Sequence, residues 1–311
     1  MHFATIAVKG LSVAVVRLND DSVLEIAKAA TSAVDGAAAD SLREGSLQAI
    51  IEGGAEALEA VRTLVAEAES GKHADALHAI KDIELLAPIP SPRKNIFCVG
   101  RNYAEHIAEG DRAQKQTVGV TEYPVYFTKP PTAVIGPKAL IPIFPSLSEN
   151  IDYEVELTLV IGKAGRNISS DQAYDHIFGY TIINDITARD IQRRHGGQYF
   201  KGKGLDGSCP CGPWIVTADA ISDPHNLSIG LSVNGEVRQN GSTSDMIFDI
   251  PTLIESLSQG LTLEPGDMLA TGTPSGVGYA MDPPKYLKDG DTVVCEISEI
   301  GQLENTMTTA T

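Results

Sequence analysis

The stretch Ile151-Asp152-Tyr153-Glu154-Val155-Glu156-Leu157-Thr158-Leu159-Val160-Ile161 decides how this chain is read. Apolar and β-branched residues alternate with polar ones at period two, which predicts a β-strand. That period places Asp152, Glu154 and Glu156 on one face and Tyr153, Val155 and Leu157 on the other. Three acids on one strand face repel each other, and no basic residue alternates with them. A sheet tolerates such a face where a cation, or bulk water, meets it.

The surrounding sequence has the same texture. Residues 96–100, 125–129, 177–183, 214–216, 228–234 and 292–297 all read as strands. Asn234-Gly235 and Asn240-Gly241 are turn signals that fit antiparallel hairpins. A short helix is expected within 101–110 and an amphipathic one around 249–258. Strands dominate without regular βα alternation, so the expected class is α+β and β-rich, a mixed roll or sandwich and not a doubly wound sheet. Upstream, Leu86-Ala87-Pro88-Ile89-Pro90-Ser91-Pro92 cannot continue a helix or a central strand. It divides a small α+β domain, residues 1–90, from a larger β-rich domain, residues 91–311. The first has short strands at 3–8, 12–18 and 23–26, then a helical pattern over 41–69 interrupted at Gly53-Gly54. It holds no cluster of catalytic residue types, which suggests a structural or oligomeric use.

Of 311 residues, 42% are hydrophobic and 21% charged, an ordinary globular balance. The net charge of −17 argues against nucleic acid or an anionic membrane as partner. No apolar run is long enough for a membrane span, and the N-terminus lacks the pattern of a signal peptide. Four cysteines, at 98, 209, 211 and 295, form no disulfide framework. A cytoplasmic location is expected.

Glu154 and Glu156 project side by side, and Asp185 ends a second apolar strand, where a buried carboxylate needs a partner. Three oxygen donors without a nearby His or Cys pair suit a hard cation, Mg²⁺ or Mn²⁺; spacing alone also allows an exposed acidic strand. Asp152, one period nearer the start of the strand, reads as a bystander. His106 and Glu109 share a helix face, where a carboxylate can orient an imidazole and raise its basicity. Arg189 and Gln192 follow Asp185 closely and can point toward the same cleft. Lys201-Gly202-Lys203-Gly204 reads as a flexible loop with two cations, and residues 271–278, Thr-Gly-Thr-Pro-Ser-Gly-Val-Gly, as an anion-binding glycine loop. Cys209-Pro210-Cys211 lacks the spacing of a redox or zinc pair and reads as buried thiols. His195 falls in a loop.

In this order the pieces resemble the fumarylacetoacetate hydrolase superfamily. The matching segments are Gly100-Arg101-Asn102-Tyr103 with His106 and Glu109, Asp152-Tyr153-Glu154-Val155-Glu156, Asn184-Asp185 with Arg189 and Gln192, Gly202-Lys203, and Thr271-Gly272-Thr273-Pro274. The resemblance implies a mixed β-roll catalytic domain, a homodimer, and one divalent ion, Mg²⁺ or Mn²⁺, held by Glu154, Glu156 and Asp185. It implies catalytic roles for His106, Glu109 and Lys203, rather than Lys201, and substrate contacts at Arg101, Arg189, Gln192 and Thr273. Fumarylacetoacetases proper carry a fourth metal-binding aspartate before the histidine. Here Cys98-Val99-Gly100-Arg101 offers no acid, which points away from fumarylacetoacetate and toward the acylpyruvase and oxaloacetate decarboxylase branch.

The expected reaction is therefore metal-dependent cleavage of a carbon–carbon bond in a 2,4-dioxo acid, an acylpyruvate or fumarylpyruvate, through a stabilised pyruvate enolate. Decarboxylation of oxaloacetate passes through the same enolate, and isomerase, hydratase and diketo-deoxy sugar acid hydrolase chemistry stays open. A non-catalytic, metal-stabilised binding protein is the contrasting class. It would not need His106, Glu109 and Lys203 beside three carboxylates.

Overall fold

In a computed structural model, which describes residues 1–31 and 37–310, the segment Val155–Ile161 is an interior strand of a 12-stranded sheet. All seven of its residues are buried. One side of it pairs with Ile177–Asn184 and the other with Met268–Ala270. The period-two pattern then feeds two separate cores. Leu157, Leu159 and Ile161 join the core that includes Ile229, Leu231, Val293 and Leu303, while Val160 joins that of Ile50, Val61 and Leu64. A strand covered on both faces explains its Val, Ile and Leu content.

One expectation about this segment needs correction, and one alternative left open above is decided. The strand is not continuous: Ile151–Asp152 pairs separately with Thr187–Ala188, and regular structure resumes only at Val155. The acidic face is also not turned to bulk water, since Asp152, Glu154 and Glu156 are all buried.

From Val155–Ile161 the sheet continues through Ile177–Asn184 and Cys209–Thr217 to His2–Val8, then to Leu11–Arg17 and Ser22–Glu25. Residues 87–95 contain no helix or strand, as their prolines require. The sheet nevertheless joins the segments on either side of them, because His2 and Phe3 pair with Val216 and Ile215. A five-stranded sheet of Leu140–Ile143, Ser228–Val233, Glu236–Ser242, Thr292–Ile297 and Gly301–Thr309 supplies the other side of the first core. Helices Ala37–Arg43, Leu47–Glu52 and Gly54–Glu69 belong to the N-terminal part, with the interruption at Gly53 where the sequence indicated one. The whole is a mixed α+β, β-rich fold.

Asn234-Gly235 makes the expected hairpin turn, both residues having positive φ. Asn240-Gly241 does not. It lies inside Glu236–Ser242, where a Cβ on Gly241 would stand 2.8 Å from Pro274, so close packing and not turning explains that glycine. No helix among the described residues is long and apolar enough to cross a membrane.

Candidate active site

The antiparallel register assembles the acidic centre. Val155 opposes Asn184, so the next residues outward, Glu154 and Asp185, face each other. Two bonds secure this corner: Asp185 N–H donates to the Glu154 carbonyl at 2.8 Å, and Asn184 Oδ1 accepts from Glu154 N–H at 3.1 Å. Glu156 completes the group, in which one ligand oxygen from each of the three carboxylates lies within 4.8 Å of the others.

Buried cations surround part of this cluster. Lys203 Nζ donates to Glu154 at 2.8 Å, Asp185 at 2.7 Å and the Thr187 hydroxyl at 2.9 Å. Burial alone would pull this ammonium down, but Asp185 and Glu154 outweigh it and hold it above the ordinary lysine range. Arg189 bridges Asp152 at 2.8 Å and Glu154 at 2.6 Å. Burial opposes charge on Glu154 too, yet Lys203 and Arg189 hold its carboxyl far below the usual range. Lys129, 0% exposed, donates to Asp185 at 2.7 Å and to the backbone carbonyls of Ile186 and Lys203.

Glu156 has a different environment. Among the described residues it accepts one bond, from Gly272 N–H at 2.8 Å, and no cation pairs with it. Burial, and then the charges of Asp185 and Glu154, push its carboxyl well above the ordinary value. The four buried acids Asp152, Glu154, Glu156 and Asp185 face the three buried cations Lys129, Arg189 and Lys203, a balance of −1 when all are ionised. These residues fit a divalent ion. It would meet the carboxylate that lacks a positive partner and bring the balance to +1, favourable for an anionic substrate.

The cluster opens into a cavity of about 450 Å³, lined by Glu154, Glu156, Lys203, Arg189, Gln192 and Thr273 among others. His106 and Arg101 line the same cavity. His106 stands on helix Ala104–Gln114, with Nδ1 2.9 Å from Glu109 Oε1; Glu109 is anchored in turn by Gly276 N–H at 2.9 Å. Arg101 has a left-handed backbone, φ 61, and donates to Asp111 and to the Gly119 carbonyl. Thr273 Oγ1 accepts from Gln239 at 2.7 Å, and Gln192 Oε1 accepts from Arg189 at 3.3 Å. The fold thus gathers all ten residues to which the resemblance assigns roles around one cavity and the acidic cluster beneath it.

Three readings change. Residues Phe200–Lys203 form a helical turn, not a flexible loop, with Lys201 exposed and Lys203 2% exposed. Gly202 permits it, because a Cβ there would stand 2.4 Å from Gln192 N. The glycine loop does hold carboxylates, but they belong to the chain: Gly272, Gly276 and Gly278 donate N–H bonds to Glu156, Glu109 and Asp152. Asp152 is no bystander. It is 0% exposed and accepts from Arg189 and from Tyr153, Gly278 and Tyr279 N–H. Lys129 carried no signal beyond its place at the end of a strand. The four cysteines are buried and free.

A family model described as fumarylacetoacetate (FAA) hydrolase C-terminal matches residues 95–308. The oxaloacetate tautomerase YisK of Bacillus subtilis is 50% identical over 230 residues, 74% of each chain. The human mitochondrial oxaloacetate tautomerase FAHD2A is 44% identical over 225 residues, 72% of this chain and 69% of its own. Among solved structures, a fumarylacetoacetate hydrolase from Exiguobacterium antarcticum superposes with a TM-score of 0.79 at 37% identity, covering 100% of both chains. Maleylpyruvate hydrolase from Sphingobium sp. SYK-6 does so with a TM-score of 0.76 at 28% identity, also over 100% of both. Fold, acidic centre and relatives agree: the chain belongs to the fumarylacetoacetate hydrolase family.

Proposed function

We propose that the protein interconverts the enol and keto forms of a 2-oxo dicarboxylic acid of the oxaloacetate type, with Mg²⁺ or Mn²⁺ held by Glu154, Glu156 and Asp185. One observation carries this reading: a buried acid cluster short of positive charge at Glu156 and a paired histidine share one cavity. The names of the tautomerase relatives support the substrate class. When bound, the ion would supply Lewis acidity that stabilises negative charge developing on a 2-oxo acid.

The reaction moves one proton from the enol oxygen to C3 and breaks no carbon–carbon bond, so it needs no attacking water. Glu109 faces Nδ1 of His106 and leaves Nε2 as the nitrogen free to accept and return that proton. Lys203, held protonated by its acid neighbours, is a poor base and acts as fixed positive charge. Arg189 ties Glu154 to Asp152, keeping the Glu154 carboxylate aimed.

His106→Asn is expected to lower turnover about 10²-fold, the lower end for a positioned general base, while Mg²⁺ affinity stays within about twofold. Steady-state rates with titration calorimetry check both halves. An unchanged rate removes His106 from the mechanism.

The same His106–Glu109 pair favours a second reading, hydrolysis of a 2,4-dioxo acid, in which Nε2 activates water. Product analysis with enol-oxaloacetate, acetylpyruvate and fumarylpyruvate separates the two. Keto-oxaloacetate formed without CO₂ or pyruvate, with the other two acids untouched, is the expected result. Pyruvate released from acetylpyruvate at a comparable rate would transfer the assignment to hydrolysis.

A further inference from the structure

We propose that Arg193 receives the distal carboxylate of the substrate and makes this cavity selective for dicarboxylic over monocarboxylic 2-oxo acids; this rests on the 2-oxo acid reading above. Four lysine and arginine side chains line the cavity: Arg101, Arg189, Arg193 and Lys203. Three are already matched to acids. Arg189 is paired with Asp152 and Glu154, Lys203 with Glu154 and Asp185, and Arg101 with Asp111.

Arg193 makes no ion pair among the described residues. Its guanidinium lies 5.0 Å from the ring centroid of Tyr279, and that ring also receives Arg189 at 4.3 Å. The tyrosine is itself fixed, since its N–H donates to Asp152 at 3.1 Å. An aromatic face positions a guanidinium without neutralising it, and leaves its planar N–H fork free for a carboxylate.

Residues 189 and 193 are four apart in helix Arg189–Arg194 and so share one helix face. Their backbones are therefore about one turn, roughly 6 Å, apart along the helix, and both guanidinium groups converge on the one Tyr279 ring beside the acidic cluster. A substrate with one carboxylate at the cluster would have its second charge in the cavity, where the other cations are taken. The nearby Gln114 and Gln116 can donate hydrogen bonds there but cannot supply charge.

The test is calorimetric binding of L-malate and L-lactate to the full-length, Mg²⁺-loaded protein. Both are 2-hydroxy acids that do not enolise, and they differ by the distal carboxylate. The wild type should prefer malate by about tenfold, as one charge-assisted pair allows. Arg193→Gln should cut that preference below about threefold with lactate affinity unchanged, and Arg193→Lys should fall between. Thermal melts of the variants check their folding. A preference that survives Arg193→Gln, or a wild type without one, overturns the proposal. A wild type with the Arg193-dependent preference but no effect on enol-oxaloacetate would leave this inference standing and remove the tautomerase reading. Tautomerase activity with an unchanged preference in Arg193→Gln would do the reverse.

Discussion

Lys203→Met should destabilise the metal-free protein by about 3–5 kcal/mol, the cost of removing one partner from a buried ion pair. It should also cut turnover by at least about 10²-fold, as loss of a preorganised charge does. The reason is local. Among the described residues, Lys203 is the one side chain bonded to both Glu154 and Asp185, at 2.8 and 2.7 Å, and all three are buried. Without it, four buried acids face only Arg189 and Lys129. Methionine fills much of the volume, so the effect reports charge and not a void. A divalent ion should partly replace the missing charge, because any ligand of the native state stabilises it by mass action. The melting-temperature gain from saturating Mg²⁺ should therefore be larger in Lys203→Met than in the wild type, with activity still low. Equal gains in both proteins would show that Lys203 and the ion do not share the cluster.

Asp152→Asn should come next in size, although it changes no proposed metal ligand. Asp152 takes four donors on two oxygens: Gly278 and Tyr153 N–H on Oδ1, Arg189 Nε and Tyr279 N–H on Oδ2. An amide keeps one acceptor and turns an NH₂ toward donors, so one side loses its bonds and Arg189 loses half its countercharge. Stability should fall by about 3–5 kcal/mol, as for other broken buried pairs. Because the same carboxylate holds both the Tyr279 segment and Arg189, kcat/KM should fall by about 10²-fold, the scale on which misplacing a reacting group acts. Chemical denaturation with steady-state kinetics reads both effects. Near-wild-type values in each would return Asp152 to the role of bystander that strand spacing suggested.

That spacing illustrates what sequence could and could not provide. Glu154 and Glu156 are legible as a pair from period-two spacing and Asp185 from its place at the end of a second apolar strand; the resemblance joins the three, and the register that opposes Val155 to Asn184 brings them together. Asp152 reads as a bystander only if alternation is continued past Tyr153 and Glu154, where the regular strand is interrupted. Lys129 lies at the end of Val125–Lys129, a strand that meets Asp185 only through tertiary packing, and nothing local announces that contact. Between Lys201 and Lys203, spacing could not choose; resemblance favoured Lys203, and in the fold it is the buried one. The composition of the glycine loop indicates a carboxylate binder but cannot say whose carboxylate it holds. Arg193 drew no attention in sequence, since an arginine beside another arginine at a helix end is an ordinary surface pattern; only the saturation of its neighbours sets it apart.

The enol–keto exchange proposed for this cavity depends on an ion held by Glu154, Glu156 and Asp185. Its most direct test is the ultraviolet decay of enol-oxaloacetate, followed with the protein before chelation, after exhaustive chelation, and after reloading with Mg²⁺ or Mn²⁺. Each trace is corrected for the uncatalysed and free-metal rates, and the product is identified. The expected result is acceleration that vanishes on chelation, returns on reloading and yields keto-oxaloacetate. Acceleration that survives complete metal removal would contradict it.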